Sequence, residues 1–262
     1  MKAIGRKTTG SVVETVKTVV YAILIALFVR TVAYEPFNIP SGSMVPTLLI
    51  GDYLFVSKVS YGYSGYSLGF GPKLFNGRIV IPGISRPPER GDVAVFKLPS
   101  DPSIAYIKRI VGLPGDRIQM RHGNLYINDQ LVPRRPDPAC RNSEAGDTPV
   151  ALQQGYIESL PRGPGDAPIE HCIIKEGDSG MLDDTRVFDV PPGHYFGMGD
   201  NRDNSQDSRT LQVGYIPADN LVGKARFLFF STALAADPNA HWWQIWKWPF
   251  ETRYRRLFHG VH

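Results

Sequence analysis

Cysteine is scarce: Cys140 and Cys172 are the only two in 262 residues. Two thiols exclude a disulfide-stapled scaffold and a four-cysteine zinc site. The six histidines never fall in an H-E-x-x-H spacing, which removes the helical zinc-protease pattern. Charge of one sign is nowhere concentrated, and a net +4 without a long basic run offers no footprint for nucleic acid. Tryptophan is absent before Trp242, and no amphipathic helical pattern lasts three turns after residue 35. No repeat recurs at a period of about 20–50 residues, so solenoids and propellers are excluded. A disordered chain is excluded too, because 42% of the residues are hydrophobic and 21% charged.

Turn chemistry is abundant instead. The 26 Gly and 22 Pro follow no period, which rules out collagen and favours antiparallel sheets. Short β-type runs occupy 53–58, 92–98, 105–111, 117–120, 125–127, 169–174 and 225–230, with Gly/Pro clusters between them. Residues 60–90 read as an extended ribbon or loop, and 133–168 as polar surface excursions. The expected fold class is mainly β.

The one long apolar run lies at the N-terminus. Lys2, Arg6, Lys7 and Lys17 precede an uncharged stretch, Thr18 to Val29, and Arg30 follows. That stretch has the length of a signal-peptide core, and Thr31-Val32-Ala33 ends on a small residue. Read from 12 to 33, the same segment makes a helix about 33 Å long, enough to span a hydrocarbon core of ~30 Å. The residues alone leave cleaved signal and uncleaved anchor both open. Either places residues 1–17 in the cytoplasm and those after Tyr34 beyond the membrane. An oxidising compartment there would allow a Cys140–Cys172 disulfide; two unrelated free thiols are the alternative. At the other end, Trp242, Trp243, Trp246 and Trp248 stand near Lys247, Arg253, Arg255 and Arg256. Such a cluster suits a membrane–water interface, or else a terminal strand docked on the core.

Three segments are candidates for chemistry. Pro40-Ser41-Gly42-Ser43-Met44-Val45-Pro46-Thr47-Leu48 can expose a hydroxyl on a turn and leave backbone N–H groups for an oxyanion. The run Tyr106 to Asp116, read as a strand, puts Lys108 and Arg109 on opposite faces. A lysine turned inward among Tyr, Ile and Val is unusual, because desolvation disfavours its charge. Gly199 to Arg209 is a loop dense in donors and acceptors. Two decoys fail. Gly177-Asp178-Ser179-Gly180 resembles the nucleophile segment of chymotrypsin-like proteases, but that fold needs its histidine far earlier than His171. Asp200 to Asp207 lacks the Gly and terminal Glu of an EF-hand loop and carries Arg202 in its middle.

Together the three segments are more specific than any one. With Gly51-Asp52 and Arg90-Gly91-Asp92 they resemble, in order, the bacterial type I signal peptidases, membrane-anchored serine proteases with a Ser/Lys dyad. The resemblance implies Ser43 as nucleophile and Lys108 as general base. It implies an oxyanion hole from the Ser41 side chain and the Ser43 amide. Ser205 falls where the lysine is oriented, and Asp207 and Arg209 where an ion pair braces the site. Phe37, Ile39, Pro40, Met44, Leu48, Tyr106 and Ile107 are the matching candidates for substrate binding, in pockets for small residues at −3 and −1. No metal or cofactor is implied.

On this resemblance the chain divides into a cytoplasmic 1–11, a transmembrane anchor 12–33 and an antiparallel catalytic core at 34–116 and 195–235. An inserted β subdomain would span 117–194, and a Trp/Arg-rich segment 236–262. The implied partners are preprotein signal peptides, the phospholipid bilayer and a nearby export translocon. The implied location is the bacterial inner membrane, with the catalytic domain on the periplasmic side. The anchor reading now prevails over the cleaved signal. The chain departs from enteric relatives in having room for one span, and from the family in the wide spacing of its two cysteines. Two rivals remain: an enzyme with one dedicated precursor, and a silent domain that binds extended peptides. The second should have lost Ser43 or Lys108, and both are present.

Overall fold

The structure, a computed structural model, describes residues 9–67, 73–141, 153–163, 165–236, 244 and 246–261. Helix α1 (Thr9–Val32) comes first. From Val12 to Val32 it has a mean hydropathy of 2.1, and its side chains from Val12 to Arg30 are exposed. A helix that is apolar all round has no water-facing side and calls for a nonpolar surrounding. Its last carbonyls, which no helix can satisfy internally, are taken by the domain. Lys58 Nζ donates to Arg30 O at 3.1 Å and Tyr63 Oη to Val32 O at 2.5 Å. Lys58, almost wholly buried, also pairs with Glu35 at 3.0 Å.

Among the described residues sixteen strands follow: β1 (Tyr34–Asn38), β2 (Asp52–Ser57), β3 (Tyr63–Ser64), β4 (Arg78–Ile79), β5 (Val93–Lys97), β6 (Ala105–Gly112), β7 (Arg117–Arg121) and β8 (Asn124–Ile127). Then come β9 (Gln130–Leu131), β10 (Arg134–Pro136), β11 (Gln154–Leu160), β12 (Ile169–Lys175), β13 (Phe188–Asp189), β14 (His194–Met198), β15 (Ile216–Pro217) and β16 (Leu221–Ser231). The main sheet has seven strands in the order β1-β2-β16-β5-β6-β14-β15, paired antiparallel throughout. β16 shifts register at three points against β2 and β5, and such bulges bend a strand and let the sheet curl.

Alternation along the strands sets the layers. On β5, Val93 and Val95 join one apolar cluster with Leu54, Val56 and Met44, while Ala94 and Phe96 join another with Ile110 and Ile216. That strand is therefore covered on both faces. On the far side of β2 and β16 the rings of Tyr34, Tyr53, Phe55, Phe227, Phe229 and Phe230 form a continuous aromatic surface, with centroids 4.4 to 6.4 Å apart.

Between β6 and β14 the chain leaves this sheet and builds two smaller ones, β13-β7-β8-β9 and β10-β11-β12. The β7–β8 turn places His122 at φ 49° and Gly123 at φ 72°, the doubly positive geometry that matches strand twist in a tight hairpin. Cys140 and Cys172 are joined, with Cα atoms 5.3 Å apart, tying the turn before β11 to β12. Within the 60–90 stretch, expected as a ribbon or loop, Tyr63–Ser64 pair with Arg78–Ile79 as β3 and β4, and residues 68–72 lie outside the described residues. Of the 133–168 stretch, residues 142–152 and 164 lie outside the described residues, as do Trp242 and Trp243. Trp246 and Trp248 are exposed, and beyond them the chain returns to β16, where Phe258 N donates to Leu228 O at 2.8 Å.

Candidate active site

The turn that follows β1 carries Ser43. Gly42–Met44 form a single 3-10 turn after an extended Ser41. Met44 and Leu48 plug into the core with no exposed surface, which draws the turn onto the sheet and leaves Ser43 half-buried at its surface. In a first turn the N–H groups have no partner within the helix, so the Ser43 amide is available to an incoming acceptor. Ser41 Oγ lies 3.5 Å from Ser43 Oγ.

β6 brings the lysine. Lys108 Nζ donates to Ser43 Oγ at 2.7 Å and to Ile107 O at 3.0 Å, and lies 5.4 Å from the centre of the Tyr106 ring. The side chain is nearly excluded from water, with 4% exposure. Burial pushes its pKa from the ordinary 10.5 down to about 8, against the upward pull of Asp207 and Asp200; Arg209 adds to the lowering. On the opposite face Arg109 grips both oxygens of Asp200, at 2.8 and 2.7 Å, and Thr47 Oγ1 donates to Asp200 at 2.5 Å.

The loop 199–209 closes the site from behind. Arg209 makes a bidentate pair with Asp207 at 2.9 and 2.8 Å, and Gly199 N donates to Asp207 at 3.0 Å. Burial pushes the Asp207 carboxyl up, but Arg209 outweighs it and holds the group below its ordinary value. Gly199 is required by space: a Cβ there would stand 2.3 Å from Ser205 Oγ and 2.5 Å from Ser43 O. Asn201 N donates to Ser43 O at 3.1 Å and Asn201 Nδ2 to Gly42 O at 3.2 Å, so the loop holds the backbone of the serine turn.

A cleft of about 460 Å³ opens in front of Ser43 and Lys108. Of the residues named from the sequence, Phe37, Ile39, Pro40, Tyr106 and Ile107 line it, joined by Ile50, Val95, Ile104, Asn204 and Gln206. Two expectations are corrected. Met44 and Leu48 are absent from the cleft lining and lie in the core at 0% exposure, where they anchor the turn. Ser205 sits beside the serine turn, yet its buried Oγ makes no hydrogen bond, and Lys108 spends its contacts on Ser43 and Ile107 instead.

Sequence reasoning missed a buried charge cluster behind the loop. Glu158 binds Arg202 through both carboxyl oxygens, and His171 lies 3.5 Å from Glu158 and 3.7 Å from Asp200. Burial, helped by Arg109, lowers the His171 pKa to about 4, so the ring is neutral at pH 7. The density of polar residues between Gly199 and Arg209 was the available signal; nothing in it pointed to partners 29 or more positions away. Among the described residues no three His, Cys, Asp or Glu side chains gather as a metal-ligating group.

Residues 12–230 match the family model described as signal peptidase, peptidase S26. A signal peptidase I from Rickettsia typhi (strain ATCC VR-144 / Wilmington) is 41% identical, over 98% of this chain and 96% of the relative. One from Rickettsia conorii (strain ATCC VR-613 / Malish 7) is 40% identical, over 92% and 90%. A crystal structure of a signal peptidase I from Enterococcus faecalis V583 shares 25% identity, covering 53% of this chain and 97% of that one with a TM-score of 0.31. The chain belongs to the signal peptidase family, peptidase S26.

Proposed function

We propose that Ser43 and Lys108 form a dyad that removes N-terminal signal peptides from exported preproteins, cutting after small residues at −3 and −1. The observation that carries this reading is the 2.7 Å contact between a buried lysine and a serine hydroxyl at the edge of an apolar cleft. At pH 7.5 a lysine of pKa 10.5 is neutral about once in a thousand molecules; at about 8 it is neutral in about one of four. The neutral amine takes the Ser43 proton as Oγ attacks the scissile carbonyl. The oxyanion is met by the Ser43 N–H and the Ser41 hydroxyl. The ammonium returns its proton to the leaving amine, which departs with the mature protein. Lys108 then deprotonates a water that attacks the acyl-enzyme, releasing the signal peptide and regenerating Ser43.

The substrate would lie as an extended strand. β14 pairs with β6 only from Arg109 onward, so Ala105–Lys108 present a free edge opposite residues 38–41. Phe37, Ile39 and Ile107 narrow the cleft and favour small side chains. Helix α1 serves as a single membrane anchor with the N-terminus in the cytoplasm and the site on the periplasmic side, near the export translocon. The aromatic face of β2 and β16, with exposed Trp246 and Trp248, would rest at the lipid headgroups. The test is cleavage of a preprotein with an Ala-x-Ala site by detergent-solubilised wild type, Ser43→Ala and Lys108→Ala. Wild type should cut there and both folded variants should be inert. Near-normal activity in Lys108→Ala would mean that another base operates.

A further inference from the structure

We propose that Glu158 and Lys175, on the β11–β12 hairpin of the inserted sheets, are positioning residues for the nucleophile. They clamp the segment Asp200–Asp203 through Arg202 and Asp203, and that segment holds the serine turn. The inference rests on Ser43 and Lys108 being the dyad.

The hairpin joins the catalytic loop as a short parallel neighbour. Ile174 N donates to Asp200 O and Arg202 N to Ile174 O, both at 3.0 Å, with Asn201 between them. An ion pair stands on each side of this bridge. Arg202 Nη1 meets Glu158 Oε1 at 2.6 Å and Nη2 meets the second oxygen, with both side chains about 2% exposed. Lys175 Nζ meets Asp203 Oδ1 at 3.0 Å and also pairs with Asp183, while the other Asp203 oxygen accepts from Glu176 N at 2.7 Å. Asn201, held from both sides, donates to the carbonyls of Ser43 and Gly42, and Asp200 accepts from Thr47. Two hydrogen-bonded steps therefore lead from the inserted hairpin to the nucleophile.

Stability alone does not account for this arrangement. Each buried charge loses several kcal/mol of hydration, and apolar replacements of buried pairs are often as stable or more so. A bidentate guanidinium–carboxylate pair does fix orientation. Orientation matters most beside a reacting atom, where a misplacement of ~1 Å can lower the rate about 100-fold.

The experiment uses the full chain in detergent, comparing wild type, Glu158→Gln, Asp203→Asn and Ser43→Ala on an Ala-x-Ala preprotein peptide. Asp203→Asn is the milder change, because Lys175 keeps Asp183. Thermal unfolding records the folded fraction of each. The expected result is a kcat between about 10- and 100-fold lower in the folded variants, with KM within about twofold of wild type. Unchanged kcat, or a loss that only tracks the folded fraction, overturns the proposal. A raised KM with normal kcat also overturns it, since the pairs would then support the cleft wall at Asn204 and Gln206. Should Glu158→Gln fail to fold, Asp203→Asn decides. Activity surviving in Ser43→Ala would instead refute the dyad itself.

Discussion

Replacing Lys108 with methionine should abolish turnover and make the folded protein more stable at neutral pH. The lysine's pKa is lowered by burial from 10.5 to about 8. At 1.36 kcal/mol per pKa unit, that means the fold penalises the ammonium by about 3 kcal/mol. The sign follows from proton counts. Between pH 8 and 10.5 the unfolded chain holds the proton and the folded one does not, so stability rises with pH across that window. The penalty is fully present below pH 8 and gone above 10.5. Methionine fills similar space without charge. Its gain at pH 7 should approach 3 kcal/mol, less what the hydrogen bonds to Ser43 and Ile107 contribute, and should vanish toward pH 10.5. Urea denaturation of both proteins at pH 7 and pH 10 measures it. In parallel, wild-type kcat/KM should rise about tenfold per pH unit up to about 8 and then level off. A Lys108→Met variant less stable than wild type by the same amount at both pH values would refute the desolvated lysine. A rate that is flat between pH 6 and 8 would remove it as the base.

Met44 and Leu48 offer a second test, because the structure assigns them to the core rather than the cleft. Each alanine variant should lose about 2–5 kcal/mol in denaturant titration while the folded fraction keeps its KM, whereas Ile107→Glu, at the cleft wall, should raise KM. The Cys140–Cys172 bridge spans a sequence separation of 32. Cys140→Ser/Cys172→Ser should therefore destabilise by up to about 4 kcal/mol, seen as a lower Tm that reductant no longer changes.

Much of the architecture was legible in residue alternation and turn chemistry. The runs at 53–58, 92–98, 105–111 and 225–230 became central strands of the main sheet, because their apolar faces have nowhere else to go. Three longer strands escaped. β1 contains Pro36, which suits only an edge; β11 lies in polar sequence after a Pro-rich stretch; and β14 carries Gly197, whose missing Cβ admits Ile216. At the site, the alternation of Lys108 and Arg109 was readable from the strand, and Asp207 with Arg209 was local. The contact of Ser43 with Lys108 spans 65 residues and became readable only through the family resemblance. Glu158 with Arg202 and Lys175 with Asp203 could not be anticipated in that way. Charged residues are ordinarily at the surface, and only the fold shows that these are enclosed.

The junction between α1 and the sheet has a mechanical consequence. Val32 ends the helix and Tyr34 starts β1, with Lys58 and Tyr63 bolted to the helix's final carbonyls. Such a joint behaves as a bracket rather than a swivel. With the helix in the bilayer, the path from Val32 to Ser43 can rise at most about 36 Å at ~3.3 Å per residue, and the fold makes it shorter. The molecule would then be a ruler as well as a blade, sampling a thin layer above the membrane and leaving similar sequences farther out untouched. Substrate choice would depend on height as well as on side-chain size, so inserting flexible residues at the Val32–Tyr34 junction should let the enzyme cut preproteins at sites set farther from their apolar segment.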